Sequence, residues 1–405
     1  MENSFRDRFV VDEPGRVYLD GNSLGRLPRT TPGRVDELVR QEWGVQLIGG
    51  WNGGWLELPR RLGDKIGEVI GAAAGETIVC DSTTVNLFKL ATALCRSAPG
   101  RTKIISDRSN FPSDLHILSR VAGDTAGGEL QLLDLDEENP DGVQEKLSRA
   151  LDDRTALVSL SHVQYKTGRL FDLPRVTRLV QSRGGKMLWD LSHSAGALPI
   201  NFSDSGADAA VGCTYKFLNG GPGGPAFLSL RKGLITELEN PIPGWWGTAE
   251  PFDFSRDYRP HPGIERWTVG TPPILSLAAL EPGIDLVLEA GIEFLRRRSL
   301  ELGDQFMQAF DQRLATLGYR LLTPREADRR GSQVSIRHPH AWQITQDLLH
   351  HHAVVPDFRQ PDVIRLGLTP LYTTSAEIEK GVAALEASVR QQSYRSFSPG
   401  TNGVT

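Results

Sequence analysis

A chain of 405 residues is too long for one small core, and 39% hydrophobic with 23% charged residues is the balance of a globular protein built in more than one lobe. Its 45 basic and 50 acidic residues leave a formal charge of −5 with no long run of either sign, which argues against a nucleic-acid or anionic-membrane partner. No apolar stretch reaches the length of a membrane span, the polar start Met-Glu-Asn-Ser lacks a signal-peptide core, and three scattered cysteines suit a reducing compartment, so a cytoplasmic location is expected.

Residues 1–50 read as an entry segment that carries Tyr18-Leu-Asp-Gly-Asn-Ser-Leu-Gly25. Trp51 and Trp55 follow in Gly49-Gly-Trp-Asn-Gly-Gly-Trp55, where tryptophans held among glycines suggest a mobile aromatic flap suited to an aromatic substrate. In Asp81-Ser-Thr-Thr-Val-Asn-Leu-Phe-Lys-Leu-Ala-Thr-Ala-Leu-Cys95, the positions Leu87, Leu90, Ala91, Leu94 and Cys95 share one helical face. Ser82, Thr83 and Thr84 cluster at its start. Capping explains one hydroxyl; three suit a phosphate group held at a helix N-terminus.

Short apolar runs then alternate with amphipathic ones. Lys103–Ser106, Leu130–Leu135, Ala156–Ser161 and Lys186–Asp190 read as buried strands, with helices over Asp141–Leu151 and Leu173–Arg183. That order predicts an α/β fold with a mostly parallel sheet covered on both faces, whose ligands gather at the carboxyl ends of the strands. Phe111, in Asn110-Phe-Pro-Ser-Asp114, follows the first of these strands and suits either ring stacking or core packing. Ser161-His162 is no nucleophile pair, because adjacent strand residues face opposite sides.

Asp190 ends an apolar strand, where it serves either as a cap for the next segment or as a buried functional acid. His193 is either a core histidine or a partner for a planar ring. Lys216 follows Thr214-Tyr215 and precedes Gly-Gly-Pro-Gly-Gly224, in apolar surroundings that predict a desolvated, nucleophilic amine. The glycines do not match the dinucleotide pattern G-x-G-x-x-G. An acid and a lysine so placed are the pair that pyridoxal phosphate (PLP) chemistry requires: an amine for the Schiff base and a carboxylate for the pyridine nitrogen.

Pro243-Gly-Trp-Trp-Gly247 repeats the aromatic–glycine theme. A long helix is predicted over Leu275–Leu314, broken near Pro282 or Gly291, followed by a βαβ-like tail. The expected division is an N-terminal segment 1–50 joining the small domain, a large PLP-binding domain 51–280, a C-terminal small domain 281–392 and a disordered tail 393–405. His350-His-His352 lacks partners at ligand spacing and reads as a polar helix end, so no metal is expected.

Taken together, Leu19-Asp-Gly-Asn-Ser-Leu-Gly25, Ser82-Thr-Thr-Val-Asn86, Asn110-Phe-Pro-Ser-Asp114, Asp190-Leu-Ser-His193, Thr214-Tyr-Lys-Phe-Leu-Asn-Gly220, Gly244-Trp-Trp-Gly247 and Gly270-Thr-Pro-Pro-Ile274 closely resemble the kynureninase family, in the family's order from about residue 17 to 372. The resemblance implies the aspartate-aminotransferase-like PLP-dependent transferase fold (fold type I), with a large, mostly parallel mixed sheet sandwiched by helices and a smaller α+β domain. It implies a homodimer with shared sites that hydrolyses L-kynurenine, or 3-hydroxy-L-kynurenine, to anthranilate or 3-hydroxyanthranilate and L-alanine in tryptophan catabolism. Lys216 would be the Schiff-base lysine, Asp190 the pyridinium partner and Tyr215 a proton donor near the ketone. Thr83 and Thr84 would hold the phosphate and Phe111 would stack on the ring. Asp114, Ser161, His193 and Tyr215 would complete the cofactor pocket, with Trp245 and Thr271 reaching it across the dimer interface. Arg365 would clamp the substrate's α-carboxylate with its planar fork, and Asn22, Ser23 and Trp51 would line the substrate region. The glycine-rich, tryptophan-bearing form around Trp51 resembles bacterial members, which favour the unhydroxylated substrate. The alternatives are a cysteine desulfurase or another class V relative, and a non-catalytic PLP-binding regulator. The absence of cysteine after Cys213 argues against the first, and the lack of room for a DNA-binding segment against the second.

Overall fold

The computed structural model describes residues 5–400 apart from 12, 14 and 136–139. After a two-residue strand β1 (Val17–Tyr18), seven strands form the main sheet: β2 (Thr77–Val79), β3 (Lys103–Asp107), β4 (Glu129–Leu133), β5 (Thr155–Ser161), β6 (Lys186–Asp190), β7 (Ala209–Gly212) and β8 (Phe227–Leu230). They lie in the order β2-β8-β7-β6-β5-β3-β4. The run from β7 to β4 is parallel, and β8 runs against both of its neighbours.

Strands β3, β5 and β7 are buried along their whole length, as a parallel sheet covered on both faces requires. Alternate residues enter opposite cores. Ile104, Leu157 and Leu188 pack with Leu87, Leu90 and Leu118 of helices Thr83–Arg96 and Pro112–Asp124. Ile105, Val158 and Trp189 pack with Ile66, Val176 and Ile284 of helices Leu58–Ile70, Leu173–Ser182 and Ile274–Ala290. Each fully buried leucine or isoleucine contributes roughly 1.5–3 kcal/mol.

The predicted long helix breaks at Gly291, where φ is +76°, and resumes as Ile292–Ala309. Pro282 stays inside the first helix: only a glycine takes the left-handed backbone that the break needs, whereas proline removes one donor and leaves φ helical. A second, antiparallel sheet follows from β9 (Arg320–Leu321), β10 (Gln333–Arg337), β12 (Asp357–Arg359) and β13 (Val363–Gly367), in the order β12-β13-β10-β9. Strand β11 (Val354–Val355) pairs with β1, which ties the N-terminal segment to this C-terminal part.

The tail differs from its expectation. Ser393–Ser396 form a 3-10 turn with Tyr394 buried, because Ser393 donates to the fully buried Asp347 at 2.5 Å and Tyr394 stacks on His340. Residues 401–405 lie outside the described ones. His351 and His352, at the end of helix Ala341–His351, face the same Asp347 at 2.6 and 3.6 Å.

Candidate active site

Helix Thr83–Arg96 opens on Ser82, whose extended backbone lets its hydroxyl accept the Val85 N–H at 3.3 Å. Thr83 and Thr84 remain, and with Gly223 and Gly224 they line one wall of a cavity of about 470 Å³. Free N–H groups and the positive end of the helix favour an anion there. Asp81 lines the same wall and would repel one. Lys89, fully buried, offsets it: its ammonium donates to Asp81 Oδ2 and to the Trp267 carbonyl, both at 2.6 Å.

The opposite wall comes from the carboxyl ends of the parallel strands. Register sets Asp190 of β6 beside Ser161 of β5 and Val211 of β7. Asp190 Oδ1 accepts the Ser192 N–H at 2.8 Å, so the acid caps the next turn and also reaches the cavity with its carboxylate. Ser161 Oγ donates to Asn110 Oδ1 at 2.6 Å, and the same oxygen accepts the Phe111 N–H at 2.8 Å. Phe111 is 40% exposed and lines the cavity, with its ring edge-on to Tyr165 at 5.2 Å, which decides for an available stacking face over core packing. Burial first, and then the charge of Asp190, push the Asp114 carboxyl well above its usual range. Asp114 is therefore the carboxyl held toward its neutral form.

Lys216 is half-buried rather than fully desolvated, and its Nζ lies 3.0 Å from His193 Nε2. Burial, followed by the nearby charges of Lys216 and Arg365, holds His193 well below the usual imidazole range, so the ring is neutral. The Cys213 sulfur and then burial raise the Tyr215 phenol well above its normal value, which keeps it a proton donor. The N-terminal segment seals this corner: Gly25 N–H donates to the Tyr215 carbonyl at 2.7 Å, and a Cβ at Gly25 would lie 2.4 Å from the Lys216 carbonyl. Only glycine allows that approach.

Arg365, 1% exposed, reaches the cavity's edge from β13. Its Nε binds Asp357, while Nη1 donates to the Tyr165 carbonyl at 2.6 Å and Nη2 to Ser23 Oγ at 3.1 Å. Asp357 thus anchors one edge of the fork and leaves the other on neutral oxygens that a carboxylate would displace. Asp20, buried nearby, is pushed up to about 7, by burial first and Asp357 second. Asn22 is fully buried, and its amide donates to Gln333 Oε1 at 3.2 Å.

The cavity gathers Thr83, Thr84, Phe111, Asp114, Ser161, Asp190, His193, Tyr215 and Lys216. Arg365, Ser23 and Asn22 join it through Tyr165 and Gln333. Trp51, Trp245 and Thr271 do not line it. Trp51 packs on Trp246 at 5.0 Å and Trp55 at 5.3 Å, and Trp55 donates to Glu42 at 2.6 Å, which pins the expected flap. Trp245 is 39% exposed and Thr271 is exposed on the surface. Sequence reasoning missed Tyr165, Gln333, Asp357 and Lys89. Of these only Lys89 left a signal, a lysine on the apolar face of its helix.

The residues fit the expected PLP. The cavity has the volume of a cofactor site, a helix N-terminus stands at one end and an acid at the other, and an aromatic face and a lysine lie between them. Asp114 Oδ2 and His193 Nδ1 are buried without hydrogen-bond partners among the described residues, as polar groups built for a ligand are.

Comparison with known proteins agrees. Residues 295–385 match the family model described as the kynureninase C-terminal domain. The chain is 43% identical over 396 residues to a kynureninase of Burkholderia pseudomallei (strain K96243), covering 96% of this chain and 93% of that one. It is 42% identical to a kynureninase of Pseudomonas fluorescens, covering 94% and 90%. Among solved structures, a cysteine desulfurase from Thermococcus onnurineus NA1 superposes with a TM-score of 0.80 at 21% identity, covering 96% of this chain and 98% of its own. The cystine C-S lyase C-DES gives 0.80 at 19% identity, covering 92% and 98%. At such identities these two establish the fold alone: that of the PLP-dependent class V enzymes.

Proposed function

The chain belongs to the kynureninase family, and from that premise we propose how its residues hydrolyse L-kynurenine to anthranilate and L-alanine. The enzyme is a PLP-dependent hydrolase acting on a carbon–carbon bond. When bound, PLP supplies an electron sink for negative charge developing on the substrate. Thr83, Thr84 and the helix N-terminus would hold its phosphate, Phe111 would offer a stacking face, and Asp190, beside an Asp114 held toward its neutral form, would face the pyridine nitrogen. Arg365 binds the substrate's α-carboxylate through the two Nη groups now on Tyr165 and Ser23. Lys216 Nζ takes the proton from the α-carbon, and neutral His193 beside it accepts a hydrogen bond from the amine. Tyr215, held protonated, delivers a proton on the side of the ketone and β-carbon.

One observation carries this reading: Lys216, Asp190 and Arg365, distant in sequence, converge on one cavity and its rim. The purified protein, incubated with L-kynurenine, should produce anthranilate fluorescence. With PLP bound and no fluorescence above a no-enzyme control, the reading fails. A desulfurase, the alternative drawn from the same fold, is disfavoured by the full-length likeness to kynureninases and by the lack of any cysteine after Cys213.

We also propose a homodimer in which Trp245 and Thr271 complete the partner copy's site. The support is the set of exposed large apolar side chains Trp43, Ile48, Trp245, Phe252 and Phe254, of which Trp245, Phe252 and Phe254 cluster at ring distances of 6.2–6.5 Å. Sedimentation at micromolar concentration should give twice the chain mass; a monomer would sink the proposal. Among the described residues no helix is long and apolar enough to cross a membrane. The proposed cytoplasmic location is supported by three free cysteines, Cys80, Cys95 and Cys213.

A further inference from the structure

Asn110 follows strand β3, donates its N–H back to the Asp107 carbonyl at 3.0 Å, and is 3% exposed. Its side-chain amide can sit only one way round. The Phe111 N–H lies 2.8 Å from one end, and a backbone N–H can only donate, so that end is the oxygen, Oδ1. The other end, Nδ2, donates to Ser106 Oγ at 3.3 Å, and Ser106 gives its own proton to the Ser159 carbonyl at 2.8 Å. This chain of hydrogen bonds has a backbone donor at one end and a backbone acceptor at the other, so the direction of each proton along it is fixed. Strand register sets Ser106 beside Ser159, and Ser161 beside Asp190.

Ser161 stands between two acceptors with one proton to give. Asn110 Oδ1 lies at 2.6 Å and Asp190 Oδ2 at 3.5 Å. The first distance is that of a hydroxyl hydrogen bond, and the second exceeds it. Were the proton turned to Asp190, the Ser161 and Asn110 oxygens would meet lone pair to lone pair at 2.6 Å, because Oδ1 has no proton to offer. We propose that Asn110 is a positioning residue for the cofactor: it draws the Ser161 proton away from Asp190 and so leaves Oδ2 of that acid for the ring nitrogen. Oδ1 of Asp190 already accepts the Ser192 N–H at 2.8 Å, so Oδ2 is the oxygen with capacity left. A hydroxyl donating to that oxygen would stabilise the carboxylate and make it a weaker acceptor for the ring N–H. Asn110 does not line the cavity; it acts through Ser161 and Asp190, which do.

The role rests on Asp190 as the partner of the pyridine nitrogen, and it is measurable without turnover. The cofactor-free full chain is titrated, by quenching of its tryptophan fluorescence, with PLP and with the analogue that carries CH in place of the ring nitrogen. Phosphate and stacking contacts are common to the two, so the ratio of their dissociation constants reads the contact at Asp190. The parent should prefer PLP by about tenfold or more, the worth of one charged hydrogen bond. Asn110→Leu, similar in size but without the acceptor, should lose most of that preference. Adding Ser161→Ala should restore it, because no hydroxyl remains to turn toward Asp190. If Asn110 only held the Phe111 backbone, Asn110→Leu would weaken both molecules equally and Ser161→Ala would restore nothing. That result overturns the proposal. Should Asn110→Leu not fold, neutron diffraction from crystals of the deuterated parent decides. A Ser161 deuteron directed at Asn110 Oδ1 upholds the proposal, and one directed at Asp190 Oδ2 overturns it. A parent that binds both molecules equally would instead sink the Asp190 assignment, and this role for Asn110 with it, whatever the neutron map shows.

Discussion

Lys216 Nζ and His193 Nε2 stand 3.0 Å apart, with the imidazole buried and the amine half-exposed to the cavity. Burial, then the charges of Lys216 and Arg365, hold His193 well below the usual imidazole range, so the ring beside the lysine is neutral and Lys216 is the group proposed to take the substrate's α-proton. Lys216→Ala should lose at least ~10³-fold in kcat, the upper part of the range for a general base, together with the long-wavelength absorption of the bound cofactor. A variant that stays yellow and active would contradict the assignment.

That lysine was legible in the sequence because its signal is local: an apolar strand, a tyrosine, then glycines. Asp190, Phe111 and the Ser82–Thr84 cluster were legible for the same reason, since strand ends and helix starts are written in consecutive residues. Tyr165, Asp357 and Gln333 were not. Gln333 sits 168 positions from the Tyr165 carbonyl it binds, and only the docking of the second sheet brings them together. The sheet itself followed from alternating apolar runs. The site of the helix break did not, because choosing Gly291 over Pro282 depends on a left-handed φ that residue type permits without requiring.

Asp114 and Asp190 should respond unequally to loss of charge. Burial and the neighbouring Asp190 push the Asp114 carboxyl well above its usual range toward the neutral form, so Asp114→Asn replaces one neutral group by another and should cost less than about tenfold in kcat/KM. Asp190→Asn removes the anion and should cost about 10²-fold or more, with weakened PLP affinity measured by fluorescence titration. Equal losses in the two variants would show that Asp114 is not held toward its neutral form.

Arg365 presents Nη1 and Nη2 side by side while Asp357 holds its Nε. Lysine keeps the charge but not the fork. Arg365→Lys should raise KM for kynurenine by roughly 10- to 100-fold, the worth of one charged hydrogen bond at about 1.5–3 kcal/mol, with a smaller change in kcat. An analogue lacking the α-carboxylate should show no difference between the parent and this variant. A KM difference that persists with that analogue would place the carboxylate elsewhere.

His162, fully buried behind Trp189, gives the acid limit a named source. Burial first, and then the charge of Arg296, lower its pKa from 6.5 to about 3. The unfolded chain takes up this proton as pH falls through 6.5, whereas the folded chain does not until about 3. Its contribution to stability is therefore intact above 6.5 and lost progressively below it. One pH unit below 6.5 the loss is about 1.4 kcal/mol. Asp20 acts in the opposite sense: with its folded pKa raised to about 7, its contribution is present at low pH and lost as pH rises from about 4 to 7. Comparing a variant with its parent cancels Asp20. His162→Phe keeps a ring against Trp189, now 5.8 Å from the imidazole, and leaves the backbone bonds to Asp190 and Phe171 in place. Urea unfolding at pH 7.5 and 5.5 should show the variant losing about 1.4 kcal/mol less than the parent between the two. Identical losses would mean that His162 takes up its proton in the folded protein as readily as in the unfolded one, and that the acid sensitivity comes from other depressed histidines, His193 and His338 among them.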